Sequence, residues 1–349
     1  MLYINISFLS VFIILLLVNY LYKFRLFTDE PKADNRKIHS KKLISIGGVT
    51  FITLLLVVPE IDNNFMIFFI FFSYLLLLFG LLGDTEILVN STQRFFYLLI
   101  IISFYVLYND LTIENFHHSL LNEFIVKYKF ISILFSILGL MFLVNGFNFI
   151  DGINGLALGV SILIVINFIL NIDSSNTEIL KILNCFLIIC IILFIFNFFI
   201  GNIIIGDGGA YFCGFFIGVM SIYLANKEII IATKIACIIF YPFMEIFFTF
   251  WRRLIVNKSN PLNPDFLHLH SLVYRLVANQ FKNTQNKFFT DNLNSLVSLI
   301  ILFSITIVLL FTNIIMNYFG NLNTFFILCF LYLIVYIGLA RKVNKESIN

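Results

Sequence analysis

Apolar residues run along this chain in long blocks broken by short polar stretches. A membrane-crossing helix needs roughly 17–25 mainly apolar residues. By that measure the blocks predict eleven helices, near 3–22, 43–59, 65–82, 95–108, 130–147, 156–172, 179–200, 211–226, 229–251, 293–316 and 322–340. The expected fold is all-α, a polytopic integral membrane protein forming a single transmembrane domain over 1–349. The second and fourth blocks are short, and Gly47-Gly48 allows the second to begin deep or broken. The polar stretches that carry residues suited to chemistry are 31–48, 83–94, 145–155, 201–210 and 252–275. They follow alternate blocks, so crossing back and forth puts all of them on one side of the membrane.

Composition agrees with lipid as the surrounding medium. The chain has 349 residues, 60% hydrophobic and 12% charged, with 45 Phe, and its mean hydropathy is +1.01; soluble domains carry about 25% charged residues. A net charge of +3, with no basic stripe, excludes nucleic acid as a partner. Cys185, Cys190, Cys213, Cys237 and Cys329 sit inside apolar runs without metal-type spacing and read as small buried hydrophobes. The run 2–22 lacks a basic leader and a small-residue cleavage site, so a retained anchor is expected. Of the 22 Lys and Arg, 17 fall on the side of the polar clusters and five on the other. The positive-inside rule then places the clusters and the C-terminus in the cytoplasm and the N-terminus outside, in the cell's inner membrane. His117-His118, in the external stretch 109–129, are on the wrong side for the main site.

Six groups of residues invite a chemical reading. Asn145, Asn148 and Asp151, spaced three apart, share one helical face, and Gly152, Asn154 and Gly155 follow. Two carboxamides and a carboxylate on one face suit a hard cation or a nucleotide base; the bland alternative is a polar helix cap. Asp207, in Gly206-Asp207-Gly208-Gly209-Ala210, suits Mg²⁺, which takes one or two carboxylates plus substrate phosphates; an ordinary Asp-Gly turn is the alternative. Asp84 reads as a metal ligand, a base on a phosphate or, favoured on the residue alone, a helix N-cap. Glu245 lies inside an apolar block beside Pro242, where an unpaired carboxylate costs several kcal/mol and function is the default expectation. Arg252 and Arg253 fit phosphate or simple headgroup anchoring, and His268 and His270, with Arg275 nearby, make a donor-rich pocket for phosphate oxygens. No Cys and no third His stands near that pair, which argues against zinc. Arg36-Lys37-Ile38-His39 reads as a binding patch or a juxtamembrane basic patch drawn to anionic lipid. Carboxylates for Mg²⁺, Arg and His for phosphate, and a membrane beneath suggest phosphoryl transfer from a soluble nucleotide to a lipid-borne acceptor.

In the order Asn145-x-x-Asn148-x-x-Asp151-Gly-x-Asn154-Gly-Leu, Gly206-Asp207-Gly-Gly-Ala-Tyr-Phe212 and Pro264-Asp265-x-x-His268-Leu-His270, the chain resembles the polyprenyl-phosphate N-acetylhexosamine-1-phosphate transferases, a family that includes the phospho-N-acetylmuramoyl-pentapeptide transferases. The resemblance covers about 28–276 and leaves two C-terminal helices, 293–340, beyond it. It implies transfer of a sugar 1-phosphate from a UDP-N-acetylhexosamine to undecaprenyl phosphate, with release of UMP. It further implies Mg²⁺, with Mn²⁺ as a substitute, and a homodimer. By motif it assigns Asn148 and Asp207 to the metal and Asp84, Asp151, His268 and His270 to catalysis. Asn145, Asn154, Arg36, Lys37, Glu245, Arg252 and Arg253 fall to substrate binding. The chain departs from the family at Gly83-Asp84, where many relatives carry two adjacent acids, and at Asn154, where some branches have Asp. His268-Leu-His270-Ser271 lacks the triple histidine of the peptidoglycan enzymes, which favours an initiator of a surface glycan over the cell-wall precursor enzyme. A transporter, the non-enzyme alternative, would place its ionisable residues near the midplane between repeats, and neither feature is visible.

Overall fold

The computed structural model describes residues 2–16, 28–29, 43–44, 47–60, 63–85, 90–201, 203–256, 258, 267–281 and 292–346. The elements are α1 (Leu2–Leu16), a two-residue antiparallel pairing of β1 (Thr28–Asp29) with β2 (Leu43–Ile44), and a 3-10 helix over Gly47–Glu60. Then come α2 (Asn64–Asp84), α3 (Ser91–Tyr108), α4 (Lys129–Ile150), α5 (Leu156–Leu170), α6 (Thr177–Ile195) and α7 (Gly206–Asn226). The last are α8 (Ala232–Ile238), α9 (Phe240–Trp251), α10 (Leu269–Phe281), α11 (Leu293–Phe319) and α12 (Asn321–Glu346). Among the described residues seven helices are long and apolar enough to cross a membrane, or eight if the bent pair α8–α9 is one span. Shorter apolar helices, Leu2–Leu16, Gly48–Val57 and Leu156–Leu170, account for the remaining predicted blocks. Each of the eleven blocks thus contains a helix among the described residues, while length and composition support crossing for seven or eight. Large apolar side chains such as Phe303, Leu310 and Phe330 point outward from the helices, 64–68% exposed. Such a surface is stable only against hydrocarbon. The protein is a multi-pass, all-helical membrane protein.

α7 is the axis of the bundle: 94% of its apolar window is buried. It packs between α2 and α4, and its Phe216 stacks on Phe186 of α6 with ring centroids 4.0 Å apart. Glycine makes the approach possible. A Cβ on Gly80 of α2 would run into the Gly208 backbone, and one on Gly48 into Gly209. The helices therefore touch backbone to backbone where α7 begins, and Gly48 N–H donates to the Ile205 carbonyl at 3.0 Å.

Three helix ends differ from the sequence expectation, and each difference matters for the site. α3 starts at Ser91 instead of 95, because the Asn90 side chain accepts the Thr92 N–H at 2.9 Å; this is an ordinary N-cap and it brings Arg94 into the first turn. α7 starts at Gly206 instead of 211, which brings Asp207 into its first turn. The block 229–251 is broken between α8 and α9 with a bend of 76°. Pro242 lies in the first turn of α9, where a missing N–H is tolerated. The helix restarts just before the proline instead of kinking at it.

Candidate active site

The C-terminal end of α2, the first turns of α3 and α7, and the C-terminal end of α4 meet around Asp207. Its Oδ2 is paired with the Arg94 guanidinium, and its Oδ1 accepts from the Asn148 side-chain amide at 2.6 Å. Asp84 reaches the same helix end from α2: Oδ1 accepts the Asp207 N–H at 2.9 Å and Oδ2 accepts the Gly208 N–H at 3.3 Å. The Asp84 carboxylate therefore caps α7, far along the chain; residues 86–89, which follow it, lie outside the described residues. No side chain local to α7 caps it, so a carboxylate from another helix satisfies donors that would otherwise be orphaned and complements the positive end of the helix dipole. The bare Gly83 leaves the room that this pairing uses. A Cβ there would sit 3.0 Å from Arg94 Nη1 and 3.1 Å from Asp207 Oδ2.

Asp151 ends α4 as its C-cap residue, with its N–H bonded to the Phe147 carbonyl at 3.1 Å. Burial holds its carboxyl well above the usual carboxylate range, and the charges of Asp207 and Asp84 push it the same way. Asn145, one turn before Asn148, spends its amide on the Met141 carbonyl of its own helix at 2.8 Å. Asn154 Oδ1 is buried without a partner among the described residues, and its Nδ2 lies 3.4 Å from where a Cβ on Gly201 would be. The turn that carries it is held by Asn197, whose side chain accepts the Gly155 N–H and donates to the Ile203 carbonyl at 2.5 Å.

A second group abuts the first. Phe149, next to Asn148, faces Arg253 at 5.6 Å from ring to guanidinium and His268 at 4.9 Å between centroids. His268 in turn lies parallel to His270 at 5.6 Å. A Cβ on Gly152 would run into His270 Nε2, so the turn after Asp151 and the histidine segment are in contact. His270 is 3% exposed, and its Nδ1 has no partner among the described residues. Burial, reinforced by His268, pushes its pKa down to about 3, so the ring is neutral. Glu245, 1% exposed, lies with Oε2 3.5 Å from His268 Nδ1 while Oε1 accepts the Leu269 N–H at 3.2 Å. Arg252 and Arg253, in the turn that follows α9, are buried.

The structure thus gathers Asp84, Asn148, Asp151 and Asp207 in one group, with Glu245, Arg253, His268 and His270 adjoining. Glu245 serves the histidine segment, not an open pocket. Arg36 and Lys37 lie outside the described residues. Sequence reasoning missed Arg94, counted only as a loop charge, and Asn197. For Arg94 the signal was present in the Asn90-Ser91-Thr92 cap; for Asn197, a lone polar residue in an apolar block, the signal was weak. The five cysteines are free, as expected. His117 and Asp110 belong to a loop tied instead to the other end of α7, where the Asn226 amide donates to the Thr112 carbonyl at 2.6 Å.

An all-helical membrane bundle with carboxylates, carboxamides, a guanidinium and imidazoles gathered at one end of its central helix has the makings of an enzyme for a charged substrate at a membrane surface. Residues 66–225 match the family model for glycosyl transferase family 4. It is 29% identical over 253 residues to the undecaprenyl-phosphate alpha-N-acetylglucosaminyl 1-phosphate transferase of Thermotoga maritima, covering 72% of this chain and 74% of that protein. It is also 25% identical over 257 residues to a Bacillus subtilis protein named "probable undecaprenyl-phosphate N-acetylglucosaminyl 1-phosphate transferase", covering 72% and 69%.

Proposed function

We propose that this protein transfers N-acetylhexosamine 1-phosphate, N-acetylglucosamine 1-phosphate in the first instance, from its UDP-linked form to undecaprenyl phosphate. A phosphate oxygen of the lipid attacks the sugar-bearing phosphorus of the donor, the bond between the two donor phosphates breaks, and UMP leaves. The product is a lipid-linked diphosphate sugar that starts a surface glycan. The observation that carries this reading is the meeting of Asp84, Asn148, Asp151 and Asp207 with Arg94, side by side with His268, His270 and Arg253. The names of the relatives supply the substrate class. The excess of Lys and Arg on the site's side supports a cytoplasmic active site in the inner membrane.

Phosphoryl transfer depends mainly on positioning and neutralisation of charge. In this reading Asp207 and Asn148 hold Mg²⁺, for which Mn²⁺ substitutes. The donor set suits a hard cation, with a carboxylate from Asp207 and the carboxamide oxygen of Asn148, and the cation would take the place of the contacts that Asp207 makes to the Arg94 guanidinium and the neutral Asn148 amide. When bound, the cation neutralises the donor diphosphate. Arg94 and Arg253 supply fixed positive charge on either side, and neutral His270 serves as a hydrogen-bonding group beside the Gly152 turn. Asp151 and Asn154, whose Oδ1 awaits a partner, line the nucleotide side. Asp84 acts near the lipid phosphate and keeps Asp207 in place through the α7 backbone. The peptidoglycan-precursor enzyme is the second reading, and the His268-Leu-His270-Ser271 run argues against it.

The test is the purified protein with a panel of radiolabelled UDP-sugars, undecaprenyl phosphate and Mg²⁺. Label should move into the organic phase, stop on adding EDTA and resume with excess Mg²⁺ or Mn²⁺. Asp207→Ala should lower the rate by at least about a hundredfold, the loss typical of removing an electrostatic contact to the transition state. Undiminished turnover in Asp207→Ala would reject the metal assignment, and absence of lipid-linked label with every UDP-sugar would reject the function.

A further inference from the structure

The match to the family model ends at residue 225, so it covers neither the histidine segment nor the last two helices, 293–346. The structure nevertheless ties the two together. The Tyr336 hydroxyl of α12 donates to the Leu267 carbonyl at 2.6 Å, and Glu245 of α9 takes the Leu269 N–H at 3.2 Å. The backbone is thus gripped on both sides of His268, while the other Glu245 oxygen lies 3.5 Å from His268 Nδ1. Both gripping side chains are buried, Tyr336 at 4% and Glu245 at 1% exposure. The Tyr336 ring also packs edge-on against Phe248 of α9, with centroids 4.4 Å apart, so the two clamps brace each other.

We propose that Tyr336 and Glu245 are positioning residues, and that the C-terminal helix α12 is a working part of the active site, fixing the His268–His270 backbone against the Gly152 turn. The inference deepens the transferase reading and rests on it for its catalytic consequence. The physical case is that His268 and His270 lie at the very start of α10, where the leading N–H groups have no preceding turn of helix to bond to, although the His268 carbonyl already accepts the Leu272 N–H at 3.0 Å. A short segment at a helix start holds two rings in register only if its backbone is tied down. Hydrogen bonds in a buried setting do this, and unmade ones are expensive there. The tyrosine supplies a donor for the carbonyl, and the glutamate supplies an acceptor for the amide.

The experiment compares full-length wild type, Tyr336→Phe, Glu245→Gln, Glu245→Ala and the Tyr336→Phe/Glu245→Gln double variant. Tyr336→Phe removes one oxygen and keeps the ring. It should lower kcat/KM for the UDP-sugar about tenfold, since small displacements of catalytic groups carry large rate penalties. Glu245→Gln, which keeps an acceptor for Leu269, should retain more activity than Glu245→Ala. The double variant should be little worse than the poorer single one, because both act through the same segment. Hydrogen–deuterium exchange in detergent gives a readout independent of turnover. Peptides covering 267–272 should exchange about tenfold faster in Tyr336→Phe, as loss of a buried hydrogen bond predicts, while peptides covering 206–226 should not change. Unchanged exchange at 267–272, or strictly multiplicative rate losses, would overturn the proposal. A wild type that makes no lipid-linked product would reject the transferase reading, and the exchange comparison would still decide the clamp.

Discussion

The chemistry of single side chains here is set by neighbours remote in sequence. His270 is the clearest case: its ring is buried and beside His268, and its pKa falls from the ordinary 6.5 to about 3. The folded protein holds this ring neutral while the unfolded chain protonates it below pH 6.5. Its contribution to stability is therefore complete above pH 6.5 and is lost as the pH falls from there toward about 3. One proton corresponds to a slope of about 1.4 kcal/mol per pH unit. Melting curves between pH 7 and 5 should fall more steeply for wild type than for His270→Gln; parallel curves would contradict the burial argument. Gly152 makes a related point. Its missing side chain is the space that His270 Nε2 fills, so Gly152→Ala should cut turnover by at least about tenfold. Folding should survive, since the added methyl meets a side-chain ring and not packed backbone. A rate within twofold of wild type would show that the histidine segment moves aside freely.

Among the elements, α7 and the bent pair α8–α9 do most to assemble the site. Gly206-Asp207-Gly208-Gly209 is a poor helix start by intrinsic propensity, since glycine is disfavoured by about 1 kcal/mol against alanine. It is helical because Asp84 caps it from α2 and because the glycines let α2 and the 3-10 helix approach to backbone contact. Gly208→Val should consequently be far more damaging than an apolar change on the outer face. A Cβ at 208 would lie 2.8 Å from the Leu77 carbonyl, in packed backbone that cannot yield cheaply. Yield of folded, monodisperse protein after detergent extraction should collapse for Gly208→Val and persist for Leu310→Val; equal yields would refute the packing argument. In the other direction, the 76° break before Phe240 turns α9 so that Glu245 reaches His268 and the following Arg253 reaches the Phe149 ring.

For the molecule as a whole, the governing fact is that the described residues of the candidate site gather at one end of the bundle. Asp84, Arg94, Asn148 and Asp207 are linked through contacts, and Phe149 and Gly152 join them to the histidines. Such contacts require one side of the membrane for all of these residues. Single cysteines placed at Thr85, Asn90 and Tyr274 should react with a membrane-impermeant maleimide from the cytoplasmic side only. Cysteines at Asn115, Ser174 and Glu228, in the opposite loops, should react from outside only. Mixed labelling within either set would break the proposed orientation.

The sequence by itself determined that the chain is a membrane-embedded helical bundle, because apolar blocks of bilayer length leave no other medium for so much hydrocarbon surface. It also determined which polar stretches share a side and, through Asn148, Asp151, Asp207 and the paired histidines, most of the candidate site. These features are local: a composition, a spacing, an alternation. Only the tertiary structure decided that Asp84 caps α7, that Arg94 faces Asp207, that Glu245 turns inward to His268 and that Tyr336 grips Leu267. Each of these is a pairing between helices distant in the chain. What selects it is the requirement that buried polar groups be satisfied, and no periodicity within a single block records which partner will meet that need.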